Sequence, residues 1–341
     1  MVSTTEPSGE SGQRLVAVTG ASGHLGANLV RALLADGRRV RALVHMTSKG
    51  IEGLPVEVVR ADVLDAGSLT GAFAKVDTVF HLAAKISAGW EPAAAINEVN
   101  VEGTRNAVQA CLAARVRRLV HFSSIQAFAP APGASAVDET CPLARPGEGN
   151  HGAYDLAKAE AERVVLAAVA YGLEAVILNP TAVIGPYDLL PSALGEVLLA
   201  LARGRLPVLI AGASQDFVDA RDVGAAALAA ERCGRPGERY LLSGTRLSLV
   251  ELARHWAKVT GRPAPRLAAP MWLAGLAAPF APAWARLRGR RPSFTSESLR
   301  VLRASCPVSR RKAEGDLGYH PRPIDETLRD TWAWMKAEGR L

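Results

Sequence analysis

Short apolar runs recur through the first half of the chain. Each is followed by a stretch whose apolar positions repeat at helical spacing. RLVAVT (14–19) is the first run; glycine-rich residues and the amphipathic LGANLVRALLADG follow, and VRALVH (40–45) is the second. VEVV (56–59), DTVFHLAA (77–84), RRLVHFSS (117–124) and LEAVILNP (173–180) continue the series. A long helix is predicted over 93–114 and another after HGAYDLAK, where AEAERVVLAAVA keeps the same spacing. Strands of nearly continuous Val, Ile, Leu and Ala, separated by helices, predict an α/β fold: a doubly wound parallel sheet covered on both faces.

Beyond Pro180 the rhythm breaks. FVDARDVGAAALAAE (217–231) and RYLLS (239–243) are predicted to return to the sheet, so that residues 13–180 and 216–243 form one unit. Residues 181–215 and 244–341 are proline-punctuated and predicted to form a smaller, mostly helical part over the carboxyl edge of the sheet, where open α/β folds bind ligands. Within it, SLVE (248–251) is a capping box opening a helix that runs to Thr260. LAAPMWLAGLAAPFAPAWA (267–285) carries no charge and approaches the roughly 20 apolar residues of a membrane span. Pro279 and Pro282 break it, and it reads as a helix-and-loop lid over an apolar pocket, with peripheral membrane contact as the competing reading and no stable insertion. The first twelve residues, MVSTTEPSGESG, are polar and predicted to be a disordered tail rather than a signal or transit peptide.

Composition narrows the class. With 49% hydrophobic and 21% charged residues in 341, the chain reads as soluble and globular. The net charge is +7, but the basic clusters (Arg117-Arg118, Arg286 to Arg291, Arg310 to Lys312) lack interleaved aromatics, which argues against a nucleic-acid partner. Cys111, Cys141, Cys233 and Cys306 lie far apart with no ligand spacing, which predicts reduced thiols, no metal site and a cytoplasmic location.

Two motifs carry chemistry. TGASGHLG (19–26) follows the first strand and opens the first helix. Gly20 permits the turn, Gly23 lets backbone approach a phosphate, and Gly26 lets helix and strand pack closely, so that amides at the helix start face a pyrophosphate. In HGAYDLAK (151–158), Tyr154 and Lys158 stand one helical turn apart in a chain with 5 tyrosines. An ammonium beside a phenol favours phenolate, lowering the tyrosine pKa so that it can pass a proton near neutral pH.

With these motifs the chain resembles the extended short-chain dehydrogenase/reductases, a Rossmann-fold group. It looks most like the branch of dihydroflavonol-4-reductase-like and 3β-hydroxysteroid dehydrogenase-like proteins. AD (61–62), HLAA (81–84), NVEGT (100–104), HFSS (121–124), YDLAK (154–158), NPTAVIGP (179–186) and FVDARDV (217–223) carry the resemblance over nearly all of 14–337. It implies an oxidoreductase acting on a carbonyl or secondary alcohol of a small molecule. Tyr154 is then acid/base, Lys158 binds the nicotinamide ribose and lowers the tyrosine pKa, and Ser124, preferred to Ser123, binds the substrate oxygen. Cofactor contacts fall on Gly20, Ser22, Gly23, His24, Leu25 and Gly26 of the turn. Asp62 faces the adenine or caps its strand, and Val63, Leu82, Ala83 and Ala84 line the cofactor. Pro180, Thr181 and Val183 flank the nicotinamide. Lys85, Trp90, Gln126, His151 and Tyr187 fall on segments lining the substrate pocket, and Asn100 reads as a structural hydrogen-bonder. Relatives also imply a homodimer through the helices at 101–114 and 154–171.

Two departures shape the reaction. Nucleotide-sugar dehydratases of the superfamily carry Asp-Glu after the catalytic Ser or Thr, where this chain has Ile125 and Gln126. Epimerases commonly carry Asn at the position of Ala182. Both favour a simple oxidoreductase over a sugar-nucleotide epimerase, the alternative; a dinucleotide sensor without turnover is a lesser one. For the cofactor, His45 ends the second strand and no carboxylate occurs between Asp36 and Glu52. With Ser22, Thr47, Ser48 and Lys49 nearby, this predicts NADP(H) preferred over NAD(H), with NAD(H) also accepted.

Overall fold

The computed structural model describes residues 14–86, 91–131, 133–278, 296–303 and 306–341. The predicted tail (1–12), Trp90, the arginine cluster at 286–291 and the second half of the 267–285 segment therefore lie outside the described residues.

The apolar runs form the strands β1 (Leu15–Thr19), β2 (Arg39–Val44), β3 (Glu57–Arg60), β4 (Thr78–His81), β5 (Arg118–Phe122) and β6 (Glu174–Pro180). With β10 (Arg239–Leu242) they make one seven-stranded sheet in the order β10-β6-β5-β4-β1-β2-β3. Every pairing in it is parallel. The direction of winding reverses between β1 and β4, which leaves a crevice at their carboxyl ends.

Alternate residues of each strand point to opposite faces, and both faces are buried. On one, Val16, Val18, Phe80, Val120 and Val176 pack with Leu29 and Leu33 of α1 (His24–Ala35) and Val223 of α7 (Ala220–Cys233). On the other, Ala17, Val79, Leu119 and Ile177 meet helices α2 (Ala66–Ala72), α4 (Gly103–Ala113) and α5 (Ala153–Val169) through Leu69, Val108 and Val165. Burial on both faces is why the strands read as apolar without alternation.

The helix predicted over 93–114 is one helical run with an irregular middle. After α3 (Ala93–Asn97), residues Glu98–Glu102 are π-helical before α4 begins. Buried Asn100 sits in that widened turn. Its Oδ1 accepts from Lys85 N at 2.7 Å and its Nδ2 donates to Lys85 O at 3.0 Å, so it fixes backbone as expected.

The second half differs from expectation in two respects. Of the segment expected to return to the sheet, α7 packs on α1 and β10 adds an edge strand. But β9 (Ser214–Asp219) joins a separate three-stranded sheet with β7 (Ala182–Ile184) and β11 (Thr245–Ser248), because β10 already occupies the position beside β6. The remaining part is mostly helical as predicted, but it also holds short strands that the sequence did not show. Besides α6 (Ala193–Ala202), α8 (Leu249–Thr260) and α9 (Met271–Ala277), it holds a parallel pair, β8 (Val208–Ala211) with β12 (Leu267–Pro270). Strands this short carry little periodicity to read.

The predicted capping box is present. Ser248 Oγ accepts from Glu251 N at 3.1 Å and Glu251 Oε2 accepts from Ser248 N at 2.7 Å. A third core gathers Leu198, Phe217, Trp256, Leu328, Trp332 and Trp334. Ion pairs Arg322–Asp222 (2.8 Å) and Arg221–Asp330 (2.6 Å) tie the last helix, Ile324–Ala337, and the turn before it to α7. Among the described residues no helix is long and apolar enough to cross a membrane.

Candidate active site

The glycine-rich turn lies at the carboxyl end of β1, beside the crevice. Gly20 adopts φ +67°, and a Cβ there would stand 2.9 Å from Ala83 N. At Gly26 a Cβ would stand 2.2 Å from Gly20 O. Only glycine lets the turn, the start of α1 and the 82–84 segment approach so closely. The first amides of α1, at His24 and Leu25, have no side-chain cap and are oriented for an anion. The His24 ring is engaged elsewhere, with Nε2 3.1 Å from Pro186 O.

Thr19 fixes the opposite wall. Its Oγ1 accepts from Leu82 N and Ala83 N, both at 3.1 Å, and lies 2.8 Å from His81 Nδ1. These residues fit a dinucleotide: they form an amide-lined turn that a side chain would fill.

The strand-2 loop folds onto the same turn, since a Cβ at Gly50 would stand 2.4 Å from Ser22 O. Thr47, Ser48 and exposed Lys49 precede Gly50 in this loop, with Thr47 Oγ1 accepting from Lys49 N at 3.2 Å. One expectation needs correcting. No carboxylate occurs along the chain near His45, yet the fold supplies one: Asp62 Oδ2, from the end of β3, stands 3.7 Å from His45 Nδ1. Pairing of β2 with β3 makes distant residues neighbours at the strand ends. Asp62 Oδ1 also accepts from Leu64 N at 2.9 Å, the strand-end role weighed for it. Val63 packs against Gly103, and its carbonyl accepts from Asn106 Nδ2 at 2.9 Å.

Across the crevice, β5 ends at Phe122 and α5 begins at Ala153, which brings Ser124, Tyr154 and Lys158 together. The Ser124 hydroxyl faces the Tyr154 phenol and accepts from Gln126 N at 3.2 Å. Ser123 is buried, with its Oγ unpartnered. Lys158 Nζ, 4% exposed, donates to Phe122 O at 2.8 Å and lies 6.0 Å from the centre of the tyrosine ring.

Here the expected effect of lysine on tyrosine is not what this state provides. Burial, reinforced by the Asp155 charge, pushes the Tyr154 phenol up, and Ser124 opposes it only in part. Burial also brings Lys158 down to about 8, against the supporting charge of Glu162. Without a bound ligand, desolvation outweighs attraction across that distance.

The other expected residues scatter. Lys85 is held through its backbone by Asn100, and Gln126 sits in the short 3-10 turn after Ser124. His151 Nδ1 lies 3.8 Å from Asp155 Oδ2 at the start of α5. Pro180 ends β6, the Thr181 hydroxyl donates to Asp216 Oδ1 at 2.8 Å, and Val183 lies in β7. Tyr187 is not brought to this cluster. Its ring packs against Trp334 (6.2 Å between centroids) under the Arg31 guanidinium, in the C-terminal core.

Sequence reading missed the buried support of the site. Glu162 is 0% exposed and its Oε1 accepts from Asn179 Nδ2 at 2.5 Å. Arg300 pairs with Asp155 at 2.6 Å, joining the helix Ser296–Arg303 to the start of α5. The rings of His81 and His121 stack at 5.5 Å, and burial lowers both, His81 to about 3. In a helix such as AEAER a glutamate reads as a solvated face; only its spacing of four from Lys158 pointed inward.

Residues 16–243 match the model of the NAD dependent epimerase/dehydratase family. The chain belongs to this family. Over 329 residues it is 38% identical to sterol demethylase protein B of Methylococcus capsulatus, covering 95% of this chain and 99% of that protein. It is 33% identical over 332 residues to 2-alkyl-3-oxoalkanoate reductase of Stenotrophomonas maltophilia, covering 92% and 97%. A crystal structure of a nucleoside-diphosphate-sugar epimerase from Pseudomonas aeruginosa superposes with a TM-score of 0.77 at 28% identity, covering 96% of this chain and 99% of that one.

Proposed function

We propose that the protein is an NAD(P)-dependent oxidoreductase that reduces a ketone or aldehyde of an apolar small molecule, or oxidises the matching secondary alcohol. The observation that carries this reading is the meeting of Ser124, Tyr154 and Lys158 across the crevice from the glycine turn. A nicotinamide dinucleotide held by Gly20 to Gly26 would supply or accept the hydride. Oxygen charge developing on the substrate needs a donor and a proton. Ser124 and Tyr154, whose side chains face each other, are placed to offer both. Lys158 would hold the ribose and, once its charge is brought nearer the phenol by that contact, favour phenolate.

An apolar substrate is supported by two observations. Leu267, Trp272, Leu273 and Leu276 are exposed on β12 and α9, and α9 packs through Ala274 on Leu299 of the helix whose Arg300 holds Asp155. An exposed apolar surface is thus joined to the residue beside Tyr154 through one intervening helix. The reductase relative is named for an alkyl-bearing ketone and the other for a sterol.

The test is incubation with NADPH or NADH and three substrate sets: 3-ketosteroids, 2-alkyl-3-oxoalkanoates and nucleotide sugars. Cofactor oxidation with either apolar set is expected. Sugar interconversion without net oxidation would replace this reading with an epimerase, and tight cofactor binding without turnover would replace it with a sensor.

We also propose a homodimer through the outer faces of α4 and α5, where Arg105, Gln109, Leu112, Ala167 and Ala170 are exposed. Sedimentation as a monomer at micromolar concentration would refute it.

A further inference from the structure

We propose that Glu162 is a positioning residue of this site: a buried anion that holds Lys158 as the ammonium and anchors the backbone that carries Ser124. The inference rests on the oxidoreductase reading of the Tyr154–Lys158 pair and adds to it a residue one turn deeper in α5.

The geometry is a clamp with two jaws. Lys158 Nζ donates to Phe122 O at 2.8 Å, and Asn179 Nδ2 donates to Ser124 O at 3.2 Å. The carbonyls on either side of Ser123 are therefore both pinned. Asn179 Nδ2 also donates to Glu162 Oε1 at 2.5 Å, so the carboxylate orients one jaw directly. Glu162 lies four residues after Lys158 on the same helix, and both are buried, which places its charge beneath the other jaw. Its second oxygen, Oε2, has no hydrogen-bond partner; Arg239 Nε of β10 stands 3.5 Å away.

A carboxylate with 0% exposure, whose second oxygen has only the Arg239 ion pair at 3.5 Å and no hydrogen bond, is costly to keep as pure scaffold. Its charge supports Lys158 against the desolvation that draws the ammonium down. The other titratable groups facing the pair are Tyr154 on α5, His121 on β5 and His81 on β4. Both histidines are held neutral by burial and do not titrate in the alkaline range.

The test reads cofactor binding, so it needs no substrate. NADH affinity is measured by fluorescence from about pH 6 to about pH 10, spanning the range in which an ammonium this buried titrates. Wild-type affinity is expected to fall above about 8, as Lys158 loses its proton. In Glu162→Gln and Glu162→Met, the uncharged replacements, that fall moves to lower pH by about one unit, roughly a tenfold weaker affinity within the limb. Glu162→Asp keeps the charge and returns the limb to the wild-type position.

A folded neutral variant whose limb stays where the wild type has it overturns the proposal. So does failure of both neutral variants to fold, since Glu162 would then be a determinant of the fold. Lys158→Met separates the two readings: it should weaken NADH at every pH and abolish the limb. If Lys158→Met binds like the wild type, the oxidoreductase assignment of the pair fails. If it behaves as expected while the Glu162 variants leave the limb in place, only the present inference fails.

Discussion

The two edges of the seven-stranded sheet treat charge in opposite ways. At the amino edge, Glu231 is 2% exposed but fully engaged: Arg38 Nη2 stands 2.8 Å from its Oε2, and Thr78 Oγ1 (3.0 Å) and Arg117 Nη2 (3.5 Å) meet its Oε1. Arg117 also pairs with Asp77 at 2.8 Å, which closes a network of surface and buried ions. At the carboxyl edge, the polar groups are buried with partners missing. Both His121 ring nitrogens, Ser123 Oγ and Glu162 Oε2 make no hydrogen bond. Both edges are built from the same parallel strands, so the strands alone do not cause the difference. The amino edge ties elements together through ions, although Arg118 Nε there lacks a hydrogen bond; the carboxyl edge leaves several such groups close together, the pattern expected of a ligand site.

If that contrast is right, substitutions at the two edges should separate rate from stability. The largest effect is expected at Tyr154. Replacing it with Phe removes the proton-transfer group and should cut turnover by about 10² to 10⁴. The melting temperature should stay near wild type, because the hydroxyl's neighbour in the site is the partly exposed Ser124. Turnover near the wild-type rate on whichever carbonyl the panel identifies would break the assignment.

Glu231→Gln at the amino edge should do the reverse. Removing one charge leaves Arg38, itself only 10% exposed, with Asp36 as its remaining carboxylate and takes the buried counter-charge from Arg117 as well; breaking a buried pair costs about 3 kcal/mol. Chemical denaturation should show that loss with an unchanged slope, while the folded fraction turns over normally. A loss of rate per folded molecule would show that the edges are coupled.

The sheet itself was legible because burial on both faces writes each strand as an apolar run, and RLVAVT through LEAVILNP needed no tertiary information. The small strands after Pro180 were not legible; β7 has three residues and β8 four. In the site, the glycine turn and the Tyr154–Lys158 spacing could be read because both are local. Glu162, Asn179 and the approach of Asp62 to His45 could not, since each depends on which strands lie side by side. Nor could the burial that pushes the Tyr154 phenol up be read: spacing shows that a lysine is near but not how deeply both are buried.

A third effect, in pH, is intermediate. Lys158 titrates near 8 in the free protein, brought down from the ordinary lysine range by burial. A lysine whose folded pKa is lowered is favoured in its neutral form, so its ammonium opposes folding below that value and the penalty fades as pH rises through it. Activity runs the other way, because the ammonium is the form that serves the site. Between about pH 8 and pH 10 the protein should therefore gain a little stability while losing cofactor affinity. Parallel melting and binding curves across that window check the sign, and a loss of both together would break the account.

The smallest effect concerns which dinucleotide is preferred, where the amino-edge logic of paired charge meets the carboxyl edge. We propose that NADP(H) is favoured over NAD(H). Gly50 packs on Ser22, and Thr47, Ser48 and Lys49 just before it would offer hydroxyls and one cation to a 2′-phosphate. Asp62 opposes this, since its carboxylate stands 3.7 Å from His45 and is itself partly exposed. A single exposed ammonium is worth about 1 kcal/mol, so Lys49→Ala should weaken NADPH by roughly fivefold and leave NADH almost unchanged. Asp62→Asn should shift the balance further toward NADPH, by a similar factor or less. Titrations of both cofactors against both variants decide the matter. If Lys49→Ala weakens the two dinucleotides equally, the loop serves the pyrophosphate and not the 2′-phosphate. If the wild type itself prefers NADH, the Asp62 carboxylate governs the ribose end and the loop cations do not.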